Sequence, residues 1–461
     1  MGHDASRRWP AAWAPGSGVS RAAWRDGTSW RTGTDSPRGT ITTGSTDAGA
    51  APRASSGRPF GVRLAILFLT VFVDLVGFGI VLPLLPFYAD RFGASGLQIG
   101  ILVLSYSAAQ LVFAPIWGRL SDRFGRRPIL LVGLVGSAIS YVIFAFAGSI
   151  TALLISRIMA GTGGANIPVA QAYIADITPP EKRAGNMGLI GAAFGLGFIF
   201  GPAIGGLLAP IDPAAPGLAA AALCLVNAGL AFFLLPESLS PEERARKSEG
   251  ALLPSREGPS RLEEAAIVLK NPAFLQVLVL SFLFTAAFSA MHPVFPLFAD
   301  ERFGLGERGV GWLFAFLGTI SALMQGIIVR ILAPRVGEIG LVRLSALPFV
   351  AGLVLIAVAP TLPILLVALA LLAVGFGGTL PSLVSLLSRA APDELQGGSL
   401  GVGQSVGALA RIVGPLMGGI MWDLFGGPGP FLSAALVAMA AAIWGFRLRV
   451  TRTPAGVGTP A

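Results

Sequence analysis

Runs of about twenty apolar residues recur along the chain, and they constrain the fold more than any other feature. A helix of that length crosses the roughly 30 Å hydrocarbon core of a bilayer. The mean hydropathy of +0.74 excludes a soluble protein, because no soluble core needs so much apolar surface. The sequence therefore predicts an all-α membrane protein with about twelve transmembrane helices. They lie at approximately residues 62–88, 97–117, 129–147, 151–175, 188–208, 217–235, 273–299, 309–330, 340–359, 361–387, 398–421 and 429–446.

Basic residues are concentrated in alternate loops, which predicts the orientation of the spans. The net charge of +9 needs no nucleic-acid partner, since loops rich in Lys and Arg stay on the cytoplasmic side. We expect a multi-pass protein of the inner (plasma) membrane with both termini cytoplasmic. The basic residues on that side are Arg119, Arg123, Arg126, Arg127, Lys182, Arg183, Arg335, Arg343, Arg389, Arg447 and Arg449.

Polar segments divide the chain into five parts. Residues 1–58 lack hydrophobic periodicity and are predicted to form a disordered tail. Residues 59–236 and 272–448 each contain six spans, a charged linker joins them at 237–271, and 449–461 form a short tail. Cys224 is the only cysteine, and the two histidines form no cluster. We therefore predict no disulfide, no metal site and no cofactor.

The two halves of the chain contain an internal repeat. The segment Pro86–Gly93 (PFYADRFG) has a counterpart in Pro296–Gly304 (PLFADERFG), and Gly201–Gly206 (GPAIGG) has one in Gly414–Gly419 (GPLMGG). Two matches at nearly the same offset indicate a duplication. Duplicated bundles that move against each other around a central site are the usual construction of a secondary transporter.

Four further motifs indicate a family. Gly118–Pro128 (GRLSDRFGRRP) separates the second and third spans, and Arg157–Gly163 (RIMAGTG) lies in the fourth. The fifth span contains a motif made of Gly188, Gly197, Gly201, Pro202, Gly205 and Gly206. The fourth motif is formed by residues 72–86 together with residues 172–178. Over about residues 60–448 the chain resembles the twelve-span drug/proton antiporters of the major facilitator superfamily, especially the tetracycline and multidrug exporters.

This resemblance implies a fold and an activity. The fold is two pseudo-symmetric six-helix bundles, which we expect to function as a monomer in the lipid bilayer. The activity is efflux of small amphipathic drug-like compounds by alternating access, coupled to protons. A proton-coupled or uniport carrier of a metabolite or sugar is the alternative, and a membrane receptor is a further one.

Asp74 is the ionisable residue that lies deepest in the first span. It is about twelve residues, or roughly 18 Å, along the helix. An ionisable side chain at that depth costs at least about 2.5–3.5 kcal/mol and normally faces a cavity or a partner. We expect Asp74 either to exchange protons or to pair permanently with Arg157. Arg157 could instead extend to the membrane surface, whereas the family motif implies that it takes part in proton transfer.

Other polar residues inside the spans are candidates for lining a substrate cavity. Arg411 could bind an anionic group or tether two helices. His292 could carry protons or fill a packing position. The uncharged candidates are Gln110, Asn166, Gln171, Gln325 and Gln404.

The glycines of the fifth span form two stripes on a helix. Gly188, Gly191, Gly195 and Gly206 lie on one face, and Gly197, Gly201 and Gly205 lie nearly opposite. Small residues allow helix backbones to approach closely in a membrane. The stripes therefore indicate tight packing, and the family resemblance adds a sliding interface between the halves, bent by Pro202.

The charged motif Gly118–Pro128 is predicted to act as a conformational gate at the cytoplasmic mouth. Its candidate residues are Gly118, Asp122, Arg123, Gly125, Arg126 and Arg127. The arginines can anchor at the anionic lipid surface. We expect Asp122 to dock on the helix N-terminus of the eleventh span, near Gly397 and Gly398, where backbone N–H groups attract negative charge.

Two other functional classes are disfavoured. Gly397–Gly401 and Gly403–Gly407 both fit G-x-S-x-G, but a nucleophile elbow needs a strand before the turn, and these segments lie on one predicted membrane helix. No phosphate-binding loop is present, so we expect neither an enzyme nor an ATP-driven pump. The eighth and ninth spans lack the histidine and aspartate of tetracycline exporters. An uncharged or cationic amphipathic compound therefore fits better than a metal-chelated tetracycline.

Overall fold

The long apolar runs fold into helices, because in lipid a helix satisfies its own backbone hydrogen bonds. The computed structural model describes residues 60–245, 261–391 and 396–447. The predicted 1–58 tail, the middle of the linker and the C-terminal tail lie outside these residues. The first-half helices are α1 (Phe60–Val81), α2 (Leu85–Asp90), α3 (Gly96–Phe124), α4 (Arg126–Ala145), α5 (Ile150–Gly163), α6 (Ile167–Ile177), α7 (Pro180–Leu208) and α8 (Ala215–Leu234). The others are α9 (Arg261–Leu269), α10 (Pro272–Ala290), α11 (Phe295–Phe303), α12 (Gly306–Leu323), α13 (Val329–Val358), α14 (Leu362–Ala390), α15 (Gln396–Phe425) and α16 (Gly429–Phe446).

Ten helical segments of the described residues are long and apolar enough to cross a membrane, and two features of the backbone reconcile this number with twelve predicted spans. Helices α5 and α6 are short, but the 3₁₀ turn Gly164–Asn166 joins them into one path. Conversely, Gly306–Val358 is a single segment of 53 residues, about 80 Å of helix, which far exceeds the bilayer core. It is divided at Gly337, whose φ of 71° interrupts the helix. The prediction of a twelve-span, all-α membrane fold is confirmed.

The internal repeat produces equivalent structures in the two halves. Its first segment forms the short helices α2 and α11, each with a proline in its first turn. Each helix is followed by a glycine with positive φ, Gly93 at 69° and Gly304 at 63°. The second segment lies in α7 and in α15, where Pro202 and Pro415 are inside continuous helices.

Two pairs of helices join the halves near one end of the bundle. Helix α3 packs antiparallel against α15, and a Cβ added at Gly100 would lie 2.6 Å from the Pro415 carbonyl oxygen. Helix α7 packs against α12, and a Cβ added at Gly206 would lie 2.9 Å from Gly311 Cα. We call this end the opposite face, because the Gly118–Pro128 motif lies at the other end, the basic face.

The same helices separate toward the basic face. A Cβ added at Gly118 in α3 or at Gly401 in α15 would meet no atom within 4 Å. The same is true of Gly188 and Gly191 in α7. Since each helix is in tight contact near the opposite face and unpacked near the basic face, the cleft between the halves opens toward the basic face.

Candidate functional site

Asp74 lies in the middle of α1 and is buried, with 5% of its surface exposed. Ser137 of α4 donates a long hydrogen bond of 3.3 Å from Oγ to Asp74 Oδ1. No basic side chain in the described part of the chain forms an ion pair with this carboxylate. The titratable groups within electrostatic reach are Tyr106 of α3, Tyr141 of α4 and Cys224 of α8.

Arg157 on α5 is also buried, at 3% exposure, so its side chain does not extend to the membrane surface. Its guanidinium carbon lies over the rings of Tyr141 and Phe144, 5.9 and 5.1 Å from their centroids. Its Nε donates to Ser156 Oγ at 3.4 Å, and one Nη has no hydrogen-bond partner. Aromatic faces attract such a cation. The predicted direct pair with Asp74 is absent from the described contacts, and Tyr106 and Tyr141 are the groups that reach both residues.

The fourth span is broken beside Asp74. The 3₁₀ turn Gly164–Asn166 interrupts it, and a Cβ added at Gly164 would lie 3.4 Å from Asp74 Oδ2. Gln110 Nε2 donates to the Gly164 carbonyl oxygen at 3.1 Å, and Asn166 Nδ2 donates to the Leu130 carbonyl oxygen at 3.2 Å. Asn166 Oδ1 is buried without a partner. Irregular backbone at membrane depth is tolerated where it is buried in protein or lines a cavity, and the three residues of this turn are buried.

Tyr106 lies near the charged residues, and no sequence motif identifies it. Its side chain is 8% exposed, and its ring lies 4.6 Å from that of Phe78. It interacts electrostatically with Asp74 and Arg157 of the first half and with Arg411 of the second half. Three predicted site residues therefore lie within electrostatic range of one tyrosine.

The remaining cavity candidates are scattered. His292 is packed between Phe288 and Phe314, with ring centroids 5.2 and 6.3 Å away, as expected of a packing histidine. Gln325 lies in the π-helical turn Met324–Ile328 and is exposed. Gln404 is exposed on α15, and Gln171 on α6 is half-buried.

The charged motif at the basic face is a network inside the first half. Arg126 forms ion pairs with Asp122 at 2.7 Å and with Asp176 at 3.2 Å. The Glu237 carboxylate accepts from the backbone N–H groups of Arg126 and Arg127, at 2.8 and 3.1 Å. Arg126 is 5% exposed, so the prediction that it anchors at the lipid surface is wrong. Two carboxylates that the motif does not contain hold it inside the protein.

The other gate residues have separate surroundings. Gly125 has a φ of 105° and begins α4 directly against Glu237, where a Cβ would collide with the carboxylate. Arg127 stacks on Phe232 at 5.3 Å and donates to the Phe232 carbonyl oxygen. Arg123 is exposed and lies over Phe124, a position from which it can reach lipid headgroups. The docking of Asp122 on the eleventh span stays a prediction, and Gly397 has no described side-chain environment.

The two glycine stripes of the fifth span contact two different helices. Gly197, Gly201 and Gly205 pack against α1, where Gly201 meets Gly79. On the other stripe, Gly206 meets Gly311 of α12, and Gly195 meets Ala322. Pro202 has no N–H group to donate to the Phe198 carbonyl oxygen. A Cβ added at Gly318 of α12 would lie 2.6 Å from this oxygen. One stripe therefore holds the first half together, and the other forms the contact between the halves.

The fold and these motifs agree with comparisons with known proteins. A family model described as the Major Facilitator Superfamily matches residues 67–415, with a second match at 335–461. The chain belongs to this superfamily. It is a membrane transporter, with a lipid bilayer as its surroundings and a small molecule as its substrate.

Individual relatives narrow the comparison. The chain is 31% identical to multidrug resistance protein 2 of Bacillus subtilis (strain 168) over 369 residues, which are 78% of this chain and 88% of the relative. It is 35% identical to the class C tetracycline resistance protein of Escherichia coli over 364 residues, 77% and 88% of the two chains. The crystal structure of the human organic anion transporter MFSD10 (TETRAN) is 26% identical, with a TM-score of 0.62 over 84% of this chain and 100% of that one.

Proposed function

We propose that the protein exports small amphipathic compounds in exchange for protons, and that Asp74 is the proton-binding residue. The observation that carries this proposal is the buried Asp74 carboxylate, which has one long hydrogen bond and no ion pair among the described residues. A charge held in this way is costly in a membrane. Protonation removes the charge, so the bound proton makes closure of the cleft around Asp74 easier.

Arg157 acts on Asp74 through the tyrosines that lie between them. Tyr106 and Tyr141 each interact with both residues, and the Arg157 Nη without a partner is available to a new acceptor. Its positive charge stabilises the ionised form of Asp74 and so promotes release of the proton. The gate and the antiporter motif then serve as moving contacts: Asp122 closes the basic face, and the α7–α12 glycines allow the halves to slide.

The basic face is the cytoplasmic one in this proposal. The arginine-rich loops follow the positive-inside rule, which puts both termini in the cytoplasm and opens the cleft to the cytoplasm. The protein lies in the plasma membrane and works as a monomer. An inward proton then releases about 2.3 kcal/mol per 100 mV of membrane potential, which drives export.

The test uses an efflux-deficient strain. A growth panel of antibiotics and dyes first identifies an exported compound, and everted vesicles then measure its uptake when they are acidified inside. We expect Asp74→Asn to insert normally and to lose proton-driven uptake. Asp212→Asn, which changes an exposed aspartate in a loop of the opposite face, is the matched control and should behave as the wild type. Uptake by the Asp74 variant at the wild-type rate would refute the assignment. Movement of the compound without any pH gradient would instead favour the alternative, a metabolite or sugar carrier.

A further inference from the structure

Arg411 is a charged side chain of the second half that forms no ion pair with any described residue. It lies inside α15, half-buried and well away from both helix ends. In the described structure it forms no ion pair and no hydrogen bond, and the Tyr106 hydroxyl lies within electrostatic range of its guanidinium group. A tether between helices needs an acceptor on the other helix, and none of the described residues provides one.

The register of α3 and α15 puts Arg411 in the cleft. The two helices are in contact at Gly96 with Gly419 and at Gly100 with Pro415. From Pro415, Arg411 lies four residues, or about 6 Å, toward the basic face, and Tyr106 lies about 9 Å from Gly100 in the same direction. Both side chains are therefore at the level where the halves begin to separate, at the inner end of the open cleft.

The charges at this depth do not balance. Deep between the basic face and the opposite face, the described spans contain two arginines, Arg157 and Arg411, and one aspartate, Asp74. One positive charge is left over even when Asp74 is ionised. Water in the open cleft can solvate Arg411, but a bound substrate displaces that water. A substrate that closes the cleft can offset this cost with an anionic group, because an unpaired arginine is expensive in a dry membrane interior.

The proposed exchange with protons adds a second requirement. A proton on Asp74 makes the cleft more positive, so it would strengthen the binding of a purely anionic substrate. Exchange requires the reverse, that the proton weakens substrate binding. A cationic group on the substrate meets this requirement, since it is attracted to ionised Asp74 and repelled once the charge is removed.

We propose that the substrate is amphoteric: its anionic group binds Arg411, and its cationic group lies on the Asp74 side of Tyr106. The position of the cationic group rests on the proposed function, whereas the anionic group rests on Arg411 alone. The Tyr106 hydroxyl lies between the two ends. The rings of Phe78 and Phe198, whose centroids are 6.0 Å apart, provide apolar surface beside Tyr106 for the body of the compound.

Binding of matched probes to the purified full-length protein, without any gradient, tests this proposal. The probe is a fluorescent naphthalene with a carboxylate at one end and an aminomethyl group at the other. Its methyl ester lacks the anion, and its N-acetyl derivative lacks the cation. We expect the wild type to bind the amphoteric probe at least about tenfold more tightly than the ester, the typical effect of a hydrogen bond to a charged group.

Variants assign that preference to Arg411. We expect Arg411→Gln to bind acid and ester equally, Arg411→Lys to keep most of the preference, and the control Arg335→Gln, at an exposed arginine, to keep all of it. The thermal stability of the protein without a bound probe should stay the same or rise in Arg411→Gln, because this variant removes a positive charge that has no ion-pair partner. A clear loss of stability would identify Arg411 as a tether. Three outcomes overturn the proposal: this loss of stability, equal binding of acid and ester by the wild type, or no binding of any of the probes.

The same probes separate this inference from the proposed function. Asp74→Asn should abolish the preference for the amine over the N-acetyl derivative and leave the preference for acid over ester intact. Loss of proton-driven transport with an intact acid preference would locate a failure in the proposed coupling. Intact proton-driven transport with no acid preference would locate it in the assignment of Arg411.

Discussion

Asp423 closes the opposite face by bonding to the N-terminus of a helix in the other half. Its Oδ1 accepts from Gly96 N at 2.6 Å, and its Oδ2 accepts from Leu97 N at 2.9 Å. These N–H groups belong to the first turn of α3, which has no carbonyl partners within its own helix. Asp423→Asn keeps one acceptor oxygen, so it removes the negative charge and one of the two bonds with little change in shape.

The expected loss of stability of the closed opposite face is at least about 1 kcal/mol. A negative charge at an exposed helix N-terminus contributes about 0.3–1 kcal/mol, and Asp423 is exposed. An intramolecular hydrogen bond adds about 0.5–1.5 kcal/mol. The neighbouring pair of Arg91 with Glu307, at 2.6 Å, has side chains that are 46% and 24% exposed, and such surface pairs contribute at most about 1 kcal/mol. We therefore expect the ratio of open to closed opposite face to rise at least about fivefold.

Distance measurements between spin labels can detect this change. Phe92 and Phe425 are exposed at the opposite face on different halves, and both can be labelled as cysteines once Cys224, the only native cysteine, is replaced by alanine. Asp300→Asn is the matched control, because Asp300 bonds to Gly306 N at 2.8 Å within the second half. The control should leave the distances unchanged. An unchanged distribution in the Asp423 variant, in correctly inserted protein, would refute the idea that this contact holds the face closed.

Two further variants test the other contacts between the halves. Asp122→Asn should bias the carrier toward the conformation open at the basic face, seen as faster labelling of reporter cysteines at the mouth of the cleft; unchanged labelling would exclude a latch. Gly206→Ala places a Cβ 2.9 Å from Gly311 Cα, so it should destabilise the closed opposite face by about 1–3 kcal/mol and lower transport. Gly191→Ala, on the same stripe with no atom within 4 Å, should transport normally, and equal defects in both would contradict the packing argument.

The sequence predicted the depth of residues better than their partners. Apolar runs fix which residues lie inside the membrane, so Asp74 and Arg411 were expected to be internal, whereas burial was only one of two alternatives for Arg157. The glycine stripes also predicted helix contacts that the structure contains, because close helix contact requires small residues on a defined face. The structure does not contain the predicted direct pair of Asp74 with Arg157, since the rotation of each helix about its axis is set by packing. That rotation puts Tyr106 and Tyr141 between them, and the sequence does not encode it locally.

Asp423 shows a signal that sequence reasoning could have used. It lies in the last turn of α15, where the helix dipole disfavours a negative charge. An aspartate in that position needs a partner from elsewhere. The start of the second span carries free N–H groups at the same face, so the pairing with α3 could have been proposed from topology. The partners of Arg126 had a weaker signal, because Asp176 and Glu237 lie 50 and 111 residues away in the chain.

The two aspartate contacts use the same helix pair at opposite ends, and this makes them mutually exclusive. Because α3 and α15 are antiparallel, the last turn of each helix lies at the same end of the bundle as the N-terminus of the other. Asp423 makes this contact in the structure, and Asp122 is predicted to make it when the basic face closes. If each contact contributes about 1 kcal/mol, their difference is small, and a proton on Asp74 can decide between the two conformations. The single variants Asp122→Asn and Asp423→Asn should then shift the label distances in opposite directions. The double variant should return close to the wild-type ratio, because both sides lose a similar stabilisation. A double variant that matches Asp423→Asn alone would show that Asp122 closes nothing.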